Sequence, residues 1–188
     1  DHVSAIFYLG RSVRGRSAGE WRNHDAKQRQ LHSSLEFRSL LVAINRVAST
    51  LDEKELSRVL LGLGDTHEDL PFVHLFLEKA YVELLLQLVD TICERLIVAW
   101  DLSDSCARDE RNLTFPLFAL AKMGIYKEDV FAKASDFFVG LAKSPQGVSP
   151  EGLRQFLFAC NSMKHDLREY ESTIAQYSKH KWVVADDD

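Results

Sequence analysis

The pattern Leu113-x3-Leu117-Phe118-Ala119-x3-Met123 returns 40 residues later as Leu153-x3-Leu157-Phe158-Ala159-x3-Met163. Each copy spaces its apolar side chains three and four apart, which lines one face of an α-helix. After a short turn, "YKEDVF" is answered by "DLREY", with Phe131 and Tyr170 39 residues apart. A weaker echo, "LLVAINRVA", sets Leu41, Val42, Ala43 and Val47 on the same template, 76 residues before Leu117. Two good copies and degenerate earlier ones predict a short right-handed-type solenoid of helical hairpins, with a period of about 38–40 residues. The competing reading is two amphipathic helices that share a leucine pattern by chance.

The rest of the chain reads as helix too, so the expected fold class is all-α. Leu35, Leu40, Leu41, Ile44, Val47 and Ala48 form a stripe from Ser34 onward. Asp52 with Glu55 three residues on is a capping-box pattern, and Gly62 or Gly64 is the expected end of that helix. Pro71 is placed to open the next helix, running through Ala80 to Trp100. Further helices are expected from near Asn112 to Met123, Lys127 to Leu141, Ser149 to Met163 and Asp166 to His180. Ser149 caps the helix that Pro150 begins. With 188 residues the chain makes one domain. We divide it into an irregular basic extension, 1–33, and a helical repeat domain, 34–185, with the best repeats at 112–148 and 149–180.

Charge is unevenly distributed. Residues 1–32 carry six basic and three acidic side chains, against 17 and 25 in the remainder, so a basic arm precedes an acidic body. Arg11, Arg14, Arg16, Arg22, Lys27 and Arg29 are therefore the candidate contacts to RNA phosphates. The start on Asp1 points to a processed or partial product, and the Arg- and Ser-containing leader is similar in composition to organelle transit sequences. Cys93, Cys106 and Cys160 form no CxxC pair and are odd in number, which predicts neither a zinc framework nor a disulfide scaffold. Glu83, Gln87, Asp90, Glu94 and Arg95 break the longest apolar stretch at helical spacing, so no membrane insertion is expected.

Catalytic templates fit poorly. Ala5 to Leu9, read as a strand, followed by Gly10-x4-Gly15-Arg16-Ser17, lies one substitution from a phosphate-cradling loop, and "LIVAWD" could supply an acid at Asp101. A guanidinium does not reproduce the compact lysine charge of that loop, and no alternation of strands and helices follows to hold it. HExxH and GxSxG do not occur, His67 and His74 straddle Pro71, and Cys160 sits where a small core residue would. The expectation is a protein that is not an enzyme and needs no cofactor or metal.

On a helical wheel Leu153, Phe156, Leu157, Cys160 and Met163 share a buried side. Arg154, Asn161, His165 and Arg168 cluster opposite if the helical phase survives the turn, and form a second candidate face for RNA or a partner. Phe158 and its twin Phe118 lie toward that side, placed either to stack on a base or to pack against the next repeat. Thr114, Ala121 and Ile125 replace three of the polar residues in the twin, so the polar stripe is not repeated.

"SPQGVSPEGLRQFLFACNSMKHD" and "LTFPLFALAKMGIYKEDVF" resemble the helical hairpins of octotricopeptide and heptatricopeptide repeat proteins, relatives of RAP-domain and Fas-activated serine/threonine kinase-like organelle proteins. The likeness covers residues 112–180, and no RAP domain is recognisable. It implies a binding protein of the mitochondrial matrix, acting in RNA metabolism or built into a mitochondrial ribosome. On this reading the basic arm holds RNA, most plainly rRNA, and the helical array holds neighbouring proteins. The alternative is a scaffold subunit of a mitochondrial complex with protein partners only, anchored by exposed Trp21, Trp100 or Trp182, with Asp186 to Asp188 as a solvated tail.

Overall fold

The computed structural model describes residues 1–13, 24–68, 77–102, 109–144 and 147–182. These residues are all-α, and no strand occurs among them. The helices are α1 (His2–Val13), α2 (His24–Ser33), α3 (Leu35–Val47), α4 (Glu53–Thr66), α5 (Lys79–Leu102), α6 (Arg111–Met123), α7 (Glu128–Lys143), α8 (Pro150–Ser162) and α9 (Glu171–Trp182). A 3₁₀ turn, Ala48–Thr50, extends α3.

Their starts follow from local chemistry. Asp52 Oδ1 accepts from the Glu55 backbone N–H at 2.8 Å while the Glu55 carboxylate accepts from the Asp52 N–H at 3.0 Å, a complete capping box on α4. Ser149 Oγ accepts from the Gly152 N–H at 3.0 Å, with Pro150 at the first helical position of α8. Ser34 Oγ does the same for α3 through the Phe37 N–H.

The helices pack in two rows. α1, α4, α6 and α8 lie side by side in that order, and α3, α5, α7 and α9 form a second row across from them, with α2 against α1 and α3. The core between the rows contains Phe37, Leu41, Ile44, Leu60, Leu88, Ile92, Trp100, Phe131, Phe138 and Phe156. Phe138 of α7 and Phe156 of α8 stack face to face at 4.1 Å between centroids, 6° from parallel.

Close approach within the first row depends on residues without bulk. A Cβ on Gly62 would sit 2.7 Å from the Ile6 carbonyl oxygen of α1, and one on Gly64 would sit 2.7 Å from the Ala119 Cα of α6. Neither glycine ends α4, as sequence reading expects; both lie inside it, where α1 and α6 cross. The helical propensity of glycine is poor, but here the tertiary contact decides.

α6 accommodates Pro116 in its interior. Proline has no N–H for the Asn112 carbonyl one turn back. The Ser57 hydroxyl of α4 lies 3.2 Å from that carbonyl oxygen and 2.8 Å from the Glu53 carbonyl of its own helix. A hydroxyl on the neighbouring helix thus stands where the missing backbone donor would be.

The extension 1–33 is not irregular over its described residues. α1 buries Val3, Ile6 and Val13, and α2 buries Gln28 and His32. Apolar residues at the α1 interface outweigh the basic character that marks the segment as an arm. Ala5 to Leu9 and "LIVAWD" are helical, in α1 and α5, so the strands that a phosphate loop would need are absent at both places. Gly10 lies inside α1, against Gly62 and Asp65. α9 begins at Glu171, later than the expected Asp166, because 168–170 form a turn closed by the Tyr170 N–H to Leu167 carbonyl bond.

Candidate functional site

One groove runs across the outer side of the first row, with a volume of about 400 Å³. Each helix supplies a stripe at helical spacing. α1 gives Phe7 and Arg11, α4 gives Lys54, Arg58 and Asp65, α6 gives Arg111, Phe115 and Phe118, and α8 gives Glu151 and Arg154. The spacing of four between Phe7 and Arg11, Lys54 and Arg58, and Arg111 and Phe115 is what aligns them.

The charges in the groove are not evenly matched. Arg154 is engaged by Glu151, with Nε at 2.9 Å and a terminal nitrogen at 2.8 Å from its two oxygens. Asp65 is engaged by Lys122 at 2.8 Å. Asp109 accepts from the Arg111 backbone N–H. Arg11, Lys54, Arg58 and Arg111 form no ion pair among the described residues and are exposed. Four cations without an ion pair among the described residues, against one exposed carboxylate outside the pairs just named, Asp109, therefore border one groove of a chain whose net charge is −5.

Aromatic rings lie between them. Arg11 and Arg58 both approach the Phe7 ring, at 5.5 and 5.9 Å from its centroid. Phe7, Phe115 and Phe118 are half-buried and line the groove. Phe118 meets its twin Phe158 at 5.4 Å between centroids. The packing role foreseen for this pair is present, although Phe158 remains 49% exposed.

The residues singled out from sequence are dispersed. Arg11 and Arg154 come together in the groove. Arg14, Arg16 and Arg22 lie outside the described residues. Lys27 and Arg29 are exposed on α2, away from the groove. The stripe Arg154, Asn161, His165 and Arg168 is interrupted, because α8 stops at Ser162 and Lys164 takes a left-handed φ of 54°. His165 turns inward, with Nδ1 at 2.9 Å from the Tyr126 hydroxyl and Nε2 at 3.3 Å from Ser135 Oγ, and burial lowers its pKa. Arg168 pairs with Asp166 in the turn, and Asn161 is exposed. Trp100, offered as an exposed anchor, is instead fully buried, because its face of α5 points between the rows. Trp21 lies outside the described residues, as does the side chain of Trp182.

Sequence reading passed over Lys54, Arg58, Arg111 and Phe115. Counting charge along the chain hides the three cations, since each has acids close by in sequence, and only helix stacking collects them with Phe115 on one side. Their signal was the spacing of four.

A second cluster is internal. His32 and His67 stack at 4.5 Å between centroids, flanked by Phe37 and Tyr81. His67 Nδ1 lies 2.8 Å from Thr66 Oγ1, whose hydroxyl donates to the Gly62 and Leu63 carbonyls, and 3.0 Å from the Leu63 carbonyl, which can only accept, so Nδ1 carries the proton and Nε2 accepts from the Tyr81 hydroxyl at 2.7 Å. His32 Nε2 donates to the Thr66 carbonyl at 2.8 Å, leaving Nδ1 without a partner among the described residues. Burial lowers both pKa values, that of His67 to about 3 with a further contribution from His32. Burial also pushes the Cys93 and Cys160 thiols up to about 12, which removes the thiolate a nucleophile needs. Among the described residues no group of three or more His, Cys, Asp or Glu side chains is arranged to hold a metal, and no helix is long and apolar enough to cross a membrane.

No known protein family, curated protein or solved structure matches the chain.

Proposed function

We propose that the chain is a non-catalytic α-helical repeat protein of an organellar RNA-containing assembly, a mitochondrial ribosome component or RNA-metabolism factor. In this reading the two rows are a short right-handed-type solenoid in which α4–α5, α6–α7 and α8–α9 are successive hairpins.

The observation that carries it is a register. Glu110 and Ser149, Phe118 and Phe158, and Tyr126 and His165 touch at the start, middle and end of α6 and α8, each pair 39 or 40 residues apart. Helices related by one constant offset run parallel and side by side, as stacked repeats do. The turns agree: Gly124 and Lys164 are both left-handed, and the Ile125 N–H to Leu120 carbonyl bond is matched by His165 to Cys160. The four cations across the stack that form no ion pair among the described residues support an anionic partner.

The test is ultraviolet crosslinking of the native complex followed by peptide mapping. Uridine adducts on residues 11–30 or on α4 and α6 are the expected result. Abundant protein crosslinks with no RNA adduct would instead make it a scaffold subunit with protein partners only. The outward Leu86, Val98 and Leu102 of α5 favour that second reading. The arm is tested separately: Arg11→Ala, Arg14→Ala and Arg16→Ala together should weaken RNA association and flatten its salt dependence. An unchanged slope removes the arm from RNA contact.

A further inference from the structure

We infer that the groove across α1, α4 and α6 takes unpaired nucleotides of an RNA single strand, with a base stacked on Phe118 and phosphates held by Arg58 and Arg111. This rests on the RNA-assembly reading and moves the main contact from the arm onto the helical stack.

Three observations converge. Charge comes first. The groove neutralises its own Glu151 and Asp65 through Arg154 and Lys122, yet leaves Lys54, Arg58 and Arg111 without carboxylate partners among the described residues. Lining carboxylates number three, Asp65, Asp109 and Glu151, against five arginines and lysines, an excess of positive charge that is complementary to a phosphodiester chain.

Ring presentation comes second. Phe115 and Phe118 are three apart on α6, with Arg111 one turn before them, so two ring surfaces and a guanidinium face the same side. Phe118 is braced by Phe158 at 5.4 Å, and the Lys122 ammonium lies 6.0 Å from its centroid. A half-buried ring that lines the groove and is fixed by a neighbouring ring is suited to base stacking.

Size comes third. A volume of about 400 Å³ falls in the range of roughly 300–1,000 Å³ that encloses small ligands, enough for one or two nucleotides. A duplex keeps its base faces closed and offers only phosphates and 2′-hydroxyls, so it cannot reach the rings.

Fluorescence anisotropy of the full 188-residue chain with labelled oligouridine and with an RNA duplex, across a salt series, tests the inference. Oligouridine should bind more tightly than the duplex. The double variant Arg58→Ala, Arg111→Ala should bind more weakly and lose about 1.4 from the log–log salt slope, about 0.7 for each phosphate contact. Phe118→Leu should weaken binding between about fivefold and a hundredfold with the slope unchanged. Circular dichroism and thermal melting verify that each variant keeps the fold.

Oligouridine binding that neither variant alters would overturn the groove while leaving the RNA reading intact. Equal affinity for duplex, or a Phe118→Leu protein that binds like the parent, would reduce the groove to a non-stacking polyanion surface and also overturn it. A parent chain that binds no oligouridine overturns it as well. The reading as an RNA-assembly protein falls separately, on a native complex that yields no RNA adduct.

Discussion

Lys122 Nζ lies 2.8 Å from Asp65 Oδ1, joining α6 to α4 through a pair whose side chains are 7% and 2% exposed. Glu68 stands 3.6 Å from the same ammonium. Such a pair must recover the loss of hydration of both ions, so it contributes little net stability while intact and a large penalty when halved. Gly10 lies against Asp65, and a Cβ there would come within 2.9 Å of the Asp65 Cβ. The carboxylate is thus enclosed between α1 and α6.

Lys122→Met should therefore lower unfolding stability by about 3–5 kcal/mol. Adding Asp65→Asn should restore a substantial part of it by removing the stranded charge. Urea denaturation of both proteins measures this, and a double variant no more stable than the single would show that the pairing does not matter.

Two glycines make opposite predictions. Gly64→Ala puts a methyl 2.7 Å from the Ala119 backbone, which cannot yield without separating α4 from α6, and should cost about 1–3 kcal/mol. Gly140, in the exposed interior of α7, has nothing within 4 Å of its added Cβ, so Gly140→Ala should gain about 0.5–1 kcal/mol from helix propensity. Melting temperatures that move the same way in both would contradict the close crossing.

Stability should fall on mild acidification. His67 binds its proton with a pKa of about 3 in the folded chain against the ordinary 6.5. Below pH 6.5 the unfolded chain takes up a proton that the native one refuses, and each further pH unit costs about 1.4 kcal/mol until the folded value is reached. His32, lowered by the same burial, adds to this slope. The charged and titratable groups around the pair among the described residues are the Tyr81 hydroxyl and Arg38, which lies over the Tyr81 ring and pairs with Glu78, so no described carboxylate directly faces the imidazoles to support a charge. His67→Phe should be less stable at neutral pH, because Tyr81 loses its acceptor, and should show a flatter dependence between pH 7 and 5. Urea midpoints across that window give the comparison; parallel slopes in parent and variant would assign the acid sensitivity elsewhere.

The Ser57 hydroxyl should matter only because of Pro116. Ser57→Ala should cost about 1 kcal/mol in the parent. In a Pro116→Ala background Asn112 recovers a backbone donor, and the same change should cost less. A double-mutant cycle reads the coupling directly, and purely additive effects would mean that the serine serves Glu53 alone.

Local chemistry was legible wherever neighbours in sequence are neighbours in space. The Asp52–Glu55 box, the Ser149 cap and the pairing of Leu113 with Leu153 all lie within single helical turns or repeat one helix pattern, so letters alone locate them. The stripe from Ser34 was read correctly at Leu41, Ile44 and Ala48. It failed at Leu35, which is 74% exposed, because two residues before the buried Phe37 it points to nearly the opposite side of α3.

What the letters determined by themselves is therefore the all-α class, the capped helix starts at Asp52 and Ser149 and a recurring 40-residue pattern, all products of short-range hydrogen bonding and 3.6-residue periodicity. Tertiary structure decided the rest. It carried α4 through Gly62 and Gly64, drew the basic leader into the core as α1, buried Trp100, and gathered Arg11, Arg58 and Arg111 beside aromatic rings. Those outcomes depend on which faces of distant helices meet, and side-by-side packing couples residues more than 40 positions apart that no local pattern relates.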